Sequence, residues 1–235
     1  MRWSRTLLRG AALALAATAP FSGHAALNYS WSGTGAIPDN DPTGLAFSFN
    51  LSGSAAPIAN VTVSLDLAGG WNGDLYAYLS HGSGFSVLLD RVGMSSSNPD
   101  GYGNAGMDIT LSGAVNTDIH AYQTLGPSYD GSGQLTGTWG ADGRTVSPLG
   151  PPASFDAAPR NATLASFNGL DANGGWTIFF ADLSPGDVMA LSGFSVSVTT
   201  TASVPEPSGS GTLAGAGGLA LSLWSCRRSR RKAGR

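Results

Sequence analysis

The sequence predicts an all-β domain, an antiparallel β-sandwich, over residues 26–203. Apolar residues there alternate with polar or small ones in the runs "LAFSFNL", "VTVSLDL", "GWTIFFA" and "GFSVSVTT". This two-residue period is typical of strands with one buried face. Clusters of Gly, Asp, Asn and Pro separate the runs, as in "PDNDPTG", "GGWNGD", "DANGG" and "SPGD", and such clusters mark turns. No stretch of this region has convincing helical spacing.

Four long strands are predicted in chain order, together with four shorter ones. Alternation directs the following residues to the buried faces of the long strands: Leu45, Phe47, Phe49 and Leu51; Val61, Val63, Leu65 and Leu67; Trp176, Ile178 and Phe180; Phe194, Val196 and Val198. The shorter candidates are "DLYAYLS", "FSVLL", "MDITL" and "TLASF". Residues 112–160 are polar and rich in Gly and Pro, so this region either holds one or two edge strands or wraps the sandwich surface.

The beginning of the chain predicts export. Arg2, Arg5 and Arg9 precede or enter a short run of Leu and Ala, and small residues follow up to Ala25. A basic start, a short apolar segment and small residues at a cleavage site are the parts of a secretory signal peptide. Residues 1–25 are therefore predicted to be removed, which leaves Ala26 as the mature start.

The charge of the predicted exported domain limits its partners. Residues 26–203 contain fourteen aspartates, three arginines and no Glu or Lys, a net charge of −11 within a chain of net charge −3. Because an acidic domain repels phosphate, nucleic acid is not an expected partner. The one cysteine, Cys226, follows the domain, so we expect no disulfide, cysteine-ligated metal or cysteine nucleophile within it.

The tail, residues 204–235, has three parts in a fixed order. It begins with the motif Val204, Pro205, Glu206 and Pro207, continues with an apolar stretch over about residues 209–226, and ends with the basic residues 227–235, among them Arg227, Arg228, Arg230, Arg231 and Lys232 as the basic stop. The apolar stretch barely reaches the roughly 20 residues that a bilayer span needs, which favours a temporary anchor. Basic residues at both ends are expected on the cytoplasmic side, so the domain between them lies outside.

This order of parts resembles the PEP-CTERM sorting signal of Gram-negative bacteria. The resemblance implies that an exosortase, a membrane-bound cysteine protease, cuts near the motif of residues 204–207. An inner-membrane anchored precursor would then be released or transferred to the cell surface or the extracellular matrix. The prolines of the motif keep the linker extended and accessible to such a protease.

Three stretches of the domain follow one another in a recognisable order. They are "IPDNDPTGLAFSFNLSG", "IANVTVSLDLAGGWNGDLYAYLS" and "LASFNGLDANGGWTIFFADLSPGDVMALSGFSVSVT". Their order resembles the P domain, or P/Homo B domain, of proprotein convertases over most of residues 35–200, which implies a jelly-roll-like sandwich. In convertases this domain packs against a subtilisin-like protease. The sequence departs from the family at the turn of residues 81–84, which lacks the usual prolines, and at Phe194, where tryptophan is common.

Residues that could carry catalysis are few. The domain has two histidines, His81 and His120, no G-x-S-x-G elbow and no H-E-x-x-H motif, and the one glutamate of the mature chain is Glu206. His81 lies in a Gly-Ser turn, where an exposed residue is expected, and His120 lies in the irregular region. A general base needs a positioned partner, and the sequence identifies none, so we expect a protein that is not an enzyme.

Four aspartates are candidate calcium ligands. Asp39 and Asp41 in "IPDNDP", Asp74 in "NGDL" and Asp182 in "FFADLS" lie at strand ends that the resemblance brings near one another. Ca²⁺ takes hard oxygen ligands from flexible loops, and some P-domain relatives bind it. The alternative is that these aspartates form Asx turns and keep the surface acidic and soluble.

Aromatic residues offer a second candidate site. Trp71, Tyr76, Tyr78 and Tyr102 could form a flat platform for a sugar ring, since Tyr76 and Tyr78 share one face of a strand. A second packed layer that buries both faces of this strand is the favoured alternative, because large aromatic residues are usually buried.

These observations predict a non-catalytic exported β-sandwich at the bacterial surface or in the extracellular matrix, with a binding or structural role. The expected partners are the processing exosortase and extracellular polysaccharide. The alternative function is an accessory module that works with a subtilisin-like serine protease in proteolysis.

Overall fold

The computed structural model describes residues 26–201, so the predictions for the signal peptide and the sorting tail lie outside the described residues. Ten strands form two sheets that pack as a sandwich. The strands are β1 (Ala26–Ala36), β2 (Leu45–Leu51), β3 (Ile58–Gly69), β4 (Leu75–His81), β5 (Gly84–Asp90), β6 (Met107–Ser112), β7 (Ser128–Tyr129), β8 (Leu135–Trp139), β9 (Gly174–Asp182) and β10 (Met189–Thr200). Short 3₁₀ segments at Asn72–Asp74, Ile119–Thr124, Pro152–Ser154 and Leu164–Phe167 connect them.

The two sheets share one core, as the alternating pattern predicts. The six-stranded sheet has the order β1-β10-β3-β6-β8-β7, and the four-stranded sheet has the order β2-β9-β4-β5. On β3, Val61, Val63, Leu65 and Leu67 are at most 1% exposed, whereas Asp66 is exposed on the opposite face. Within residues 26–201, no helix is long and apolar enough to cross a membrane. The predicted all-β sandwich is confirmed.

One strand pair departs from the predicted antiparallel arrangement. β8 runs parallel to β6, with Met107 opposite Leu135 and Leu111 opposite Trp139. A parallel neighbour needs a crossover of a dozen or more residues, and residues 113–134 supply one. β7 then pairs antiparallel with β8 at the edge of the sheet. The irregular region therefore contains two edge strands, which was one of the alternatives that the sequence left open.

Two segments differ from the sequence-based assignment. β1 was not predicted, although Leu27, Tyr29 and Trp31 alternate with polar residues and pack against the core. "TLASF" was predicted as a strand and instead contains the 3₁₀ segment Leu164–Phe167. Its two buried residues, Leu164 and Phe167, are three positions apart, which is the repeat of a 3₁₀ turn and not of a strand.

Candidate functional site

Three loops meet at one end of the sandwich, where β1, β3 and β9 end. The Asp41 N–H donates to the carbonyl oxygen of Asp182 at 2.9 Å, and the Leu183 N–H donates to that of Asp74 at 2.9 Å. At the third contact, the Ile37 N–H donates to the carbonyl oxygen of Met189 at 3.1 Å. The four aspartates predicted as calcium ligands therefore lie at the same end of the domain.

A buried asparagine fixes the loop that carries Trp71 and Asp74. The Asn72 side chain is fully buried, donates to the carbonyl oxygen of Gly106 at 3.2 Å and accepts the Gly106 N–H at 3.0 Å. Gly73 follows, and a Cβ at this position would overlap the carbonyl oxygen of Asp100 and the Cα of Gly101. The close backbone approach requires glycine, so the loop is held against residues 100–102.

Asp39 and Asp41 use their carboxylates within the loops. Asp39 accepts the Gly186 N–H on both carboxylate oxygens at 3.2 Å. Oδ1 of Asp41 accepts the Thr43 N–H at 2.8 Å and the Thr43 hydroxyl at 2.7 Å. These hydrogen bonds, the backbone one first, lower the pKa of Asp41. This is the geometry of an Asx turn, the alternative that the sequence offered.

Asp74 and Asp182 are the buried members of the group. Asp74 is 7% exposed and Asp182 is fully buried. Oδ1 of Asp182 accepts the Ser184 N–H at 3.4 Å, whereas its Oδ2 is buried and has no hydrogen-bond partner. Burial raises the pKa of Asp74, and burial together with Asp74 and Asp39 raises the pKa of Asp182 to about 6.

A surface cavity of about 340 Å³ opens beside this group. It is lined by Trp71, Asp74, Asp100, Ser184 and Pro185. Nε1 of Trp71 donates to the carbonyl oxygen of Asp100 at 3.0 Å, which holds the indole as one wall. Nη2 of Arg91 donates to Oγ of Ser184 at 2.6 Å and to Oδ1 of Asp74 at 3.5 Å. The cavity thus combines an aromatic wall with carboxylates. We call it the strand-end cavity.

The predicted calcium ligands do not converge on a single point. Within residues 26–201, no three Asp, Glu, His or Cys side chains are positioned to hold a metal ion. Asp39 and Asp41 are engaged with backbone N–H groups, and Asp74 is paired with Arg91. A calcium site needs six to eight oxygens around one ion, so the residues do not fit that ion in this arrangement. Calcium binding stays a prediction from the sequence.

The predicted aromatic platform is divided between two places. Tyr76 and Tyr78 lie half-buried on the outer face of the four-stranded sheet, with Phe179 and Phe85. Tyr78 stacks on Phe179 at 4.9 Å, and no second layer of residues 26–201 buries this face, so the favoured alternative is wrong. One face of Tyr78 is therefore covered by Phe179, whereas Tyr76 contacts Tyr78 at a tilt and Phe179 edge-on. Trp71 instead lines the strand-end cavity.

Both histidines of the described range are buried and fully engaged. His81 is 7% exposed, so the prediction that it is an exposed turn residue is wrong. Its ring nitrogens contact the carbonyl oxygens of Gly175 at 2.8 Å and Asp171 at 2.6 Å, and the ring stacks on Trp176 at 4.1 Å. The register could have shown this, because His81 continues the odd-numbered buried positions of β4.

Sequence reasoning missed a buried charged cluster beside β5. Asp142 is fully buried, and its carboxylate contacts Nδ1 of His120 at 2.8 Å, Nη1 of Arg144 at 3.1 Å and the Asp90 N–H at 3.3 Å. The other nitrogen of His120 contacts the carbonyl oxygen of Met94 at 3.0 Å. Asp90 is also fully buried, and neither of its carboxyl oxygens has a partner. Burial and the neighbouring Asp142 raise the pKa of Asp90 to about 8.

Comparison with known proteins identifies similarity of structure. No protein-family model and no curated protein sequence matches the chain. Two solved structures are similar to it: the serine protease of Aeromonas sobria (TM-score 0.41, 14% identity, 79% of this chain) and the same protease in complex with the chaperone ORF2 (TM-score 0.42, 15% identity, 78% of this chain). In both cases the match spans 28% of the protease chain. The sandwich is therefore similar to part of that serine protease.

Proposed function

We propose that residues 26–203 form a non-catalytic, exported bacterial domain that binds extracellular polysaccharide at the cell surface or in the matrix. The observation that carries this proposal is the strand-end cavity, with Trp71 as one wall and Asp74, Asp100 and Ser184 around it. Ligand sites combine an apolar surface with a few placed polar groups. The apolar C–H face of a sugar ring packs on an aromatic ring, while its hydroxyls donate to carboxylates.

The engagement of the histidines supports a non-catalytic role. A carbonyl oxygen only accepts hydrogen bonds, so His81 is held by two acceptors, Gly175 and Asp171. His120 is held between the carboxylate of Asp142 and the carbonyl oxygen of Met94. A general base needs a nitrogen within reach of the proton that it removes, and both nitrogens of each ring are already occupied by protein atoms.

The tail sequence supports delivery to the cell exterior. In this proposal an exosortase processes the chain near residues 204–207, after the signal peptide of residues 1–25 has been removed. The intact mass of the protein recovered from outside the cell tests this step. A species that starts at Ala26 and ends near Pro205 is expected, whereas a species that retains Arg235 would contradict processing.

Affinity electrophoresis tests the binding function. Soluble neutral, acidic and amino-containing polysaccharides are cast in native gels, and the retardation of the folded domain is measured. Trp71→Ala is expected to abolish retardation, because the aromatic wall is lost. The control is Tyr129→Ala, which removes a 41% exposed aromatic ring on β7 and should leave retardation unchanged. Equal retardation of the wild type and Trp71→Ala in every gel would contradict the proposed site.

The resemblance to the P domain supports a second candidate function, that of an accessory module to a subtilisin-like protease. Here the partner would be a protein and not a polysaccharide. Affinity purification of the exported protein from its own secreted fraction distinguishes the two. Recovery of a stoichiometric subtilisin-like protease would replace the first proposal, and recovery of polysaccharide alone would exclude the second.

A further inference from the structure

The strand-end cavity has an unbalanced charge. Five aspartates lie near one another in this part of the domain: after burial, Asp187 and Asp100 raise the pKa of Asp74, and Asp74 and Asp39 raise that of Asp182. Arg91 is the one cation of residues 26–201 that pairs with a member of this group, and its contact with Asp74 is long at 3.5 Å. Like charges at short range destabilise one another, so the group favours an additional cation.

Asp182 points to the same conclusion independently of the number of carboxylates. It is fully buried, and its Oδ2 has no hydrogen-bond partner. Buried carboxylates are normally paired or hydrogen-bonded. Asp182 lies beside Asp74, because it pairs with Leu75 in the β4–β9 ladder and its neighbour Leu183 donates to Asp74. In addition to burial, the carboxylate of Asp74 is one of the charges that raise the pKa of Asp182, so a cation next to Asp74 would lessen the repulsion between these two carboxylates.

The shape of the site favours an organic cation over a metal ion. No three potential ligands among the described residues are positioned around one point, as a metal would require. Instead the cavity is about 340 Å³ in volume and has an indole wall. An ammonium or guanidinium group is attracted to the face of an aromatic ring and to carboxylates at the same time.

We propose that the strand-end cavity binds a sugar that carries a free, protonated amino group. This inference rests on the proposed polysaccharide-binding function and specifies the class of polysaccharide. The amino group binds between the carboxylates of Asp74 and Asp100, and the apolar face of the same sugar ring packs on Trp71. An acetylated amine carries no positive charge and has one N–H donor where the protonated amine has three, so the site distinguishes free amino sugars from acetylated ones.

Titration calorimetry with a pair of matched ligands tests the inference. The probes are a chitosan tetrasaccharide, made of glucosamine units, and the chitin tetrasaccharide, its N-acetylated counterpart. The free amine should bind roughly tenfold or more tightly, since a hydrogen bond between charged groups contributes more than a neutral one. Trilysine and CaCl₂ are titrated separately, as an amine without a sugar ring and as a metal alone.

Variants assign the binding to this cavity. Asp100→Asn removes an exposed carboxylate and retains the backbone carbonyl that accepts from Trp71, so the fold should be preserved. It should weaken chitosan binding severalfold and leave chitin binding unchanged. Trp71→Ala should weaken both. The control is Asp108→Asn, which makes the same charge change at an exposed position on β6 and should alter neither.

The outcomes separate this inference from the proposed function. Equal binding of the two tetrasaccharides, with both lost in Trp71→Ala, would overturn the amino-sugar inference and leave polysaccharide binding intact. Binding of neither tetrasaccharide would overturn the inference, while retardation in neutral gels still tests the proposed function. Two further results would also overturn it. One is that trilysine binds as tightly as chitosan and independently of Trp71. The other is that calcium binds at micromolar concentration and blocks chitosan binding.

Discussion

Replacement of Asp90 by asparagine should change how the stability of the domain depends on pH. Asp90 is fully buried at the end of β5, and both of its carboxyl oxygens lack a partner. Burial and the adjacent carboxylate of Asp142 raise its pKa to about 8, against about 3.9 in an unfolded chain. At a pH between these two pKa values, Asp90 is protonated in the folded domain and ionised in the unfolded chain.

The size of the effect follows from this difference in bound protons. Because the folded state binds more protons, the free energy of unfolding decreases as pH rises from about 4 to about 8. The decrease approaches about 1.4 kcal/mol per pH unit. Between pH 5 and pH 7, Asp90 therefore lowers the free energy of unfolding by roughly 2.5 kcal/mol. Asp90→Asn cannot ionise, so this part of the pH dependence should disappear.

Urea unfolding of the domain at several pH values measures this difference. Asp182 and Asp74 also titrate with raised pKa values, but their contribution is common to both proteins and cancels in the comparison. Asp108→Asn is the matched control, because it makes the same substitution at an exposed position on β6. Parallel curves for the wild type and Asp90→Asn between pH 5 and pH 7 would refute the reasoning.

Three further perturbations test the packing and the sites. Gly73→Ala should destabilise the domain by about 1–3 kcal/mol, because its Cβ would overlap the backbone of residues 100–102; Gly131→Ala, which has open space around it, is the thermal-melting control. EDTA should leave the melting temperature unchanged, since no metal-binding set converges in the described residues, and a clear decrease would support the predicted calcium site. Tyr78→Ala should cost about 1 kcal/mol or more through loss of the stack on Phe179, as chemical unfolding would show; a neutral effect would mean that the stack contributes nothing.

The long central strands could be predicted because their information is local. On β3 every second residue is apolar and buried, so the period alone gives both the strand and its inward face. β8 was not assigned because only its end residues, Leu135 and Trp139, are buried. Its parallel pairing with β6 depends on the path of the crossover, which the alternation of apolar and polar residues does not predict.

The candidate site was predictable in part for the same reason. Trp71 and Asp74 were identified because they lie in a conspicuous Gly-rich turn after a strand. Asp100 and Ser184 were not, since they reach the cavity only through the contacts between loops that the sheet register aligns. Asp90 and Asp142, which are in contact, are 52 positions apart in the sequence. Neither residue lies in a motif from which the contact could be predicted.

The pairing of β1 with β10 has a consequence for the order in which the chain completes its structure. β1 is the first strand and β10 the last, and they pair from Ala26 opposite Thr199 to Ala36 opposite Ala190. Pairing between such distant segments is intrinsically slow, because closing the long intervening chain costs entropy. In the proposed export, which begins at the N-terminus, β1 would remain unpaired with β10 until Thr200 has emerged. Val204, where the predicted sorting motif begins, is only four residues further on, so closing the sandwich and presenting the motif become nearly simultaneous events.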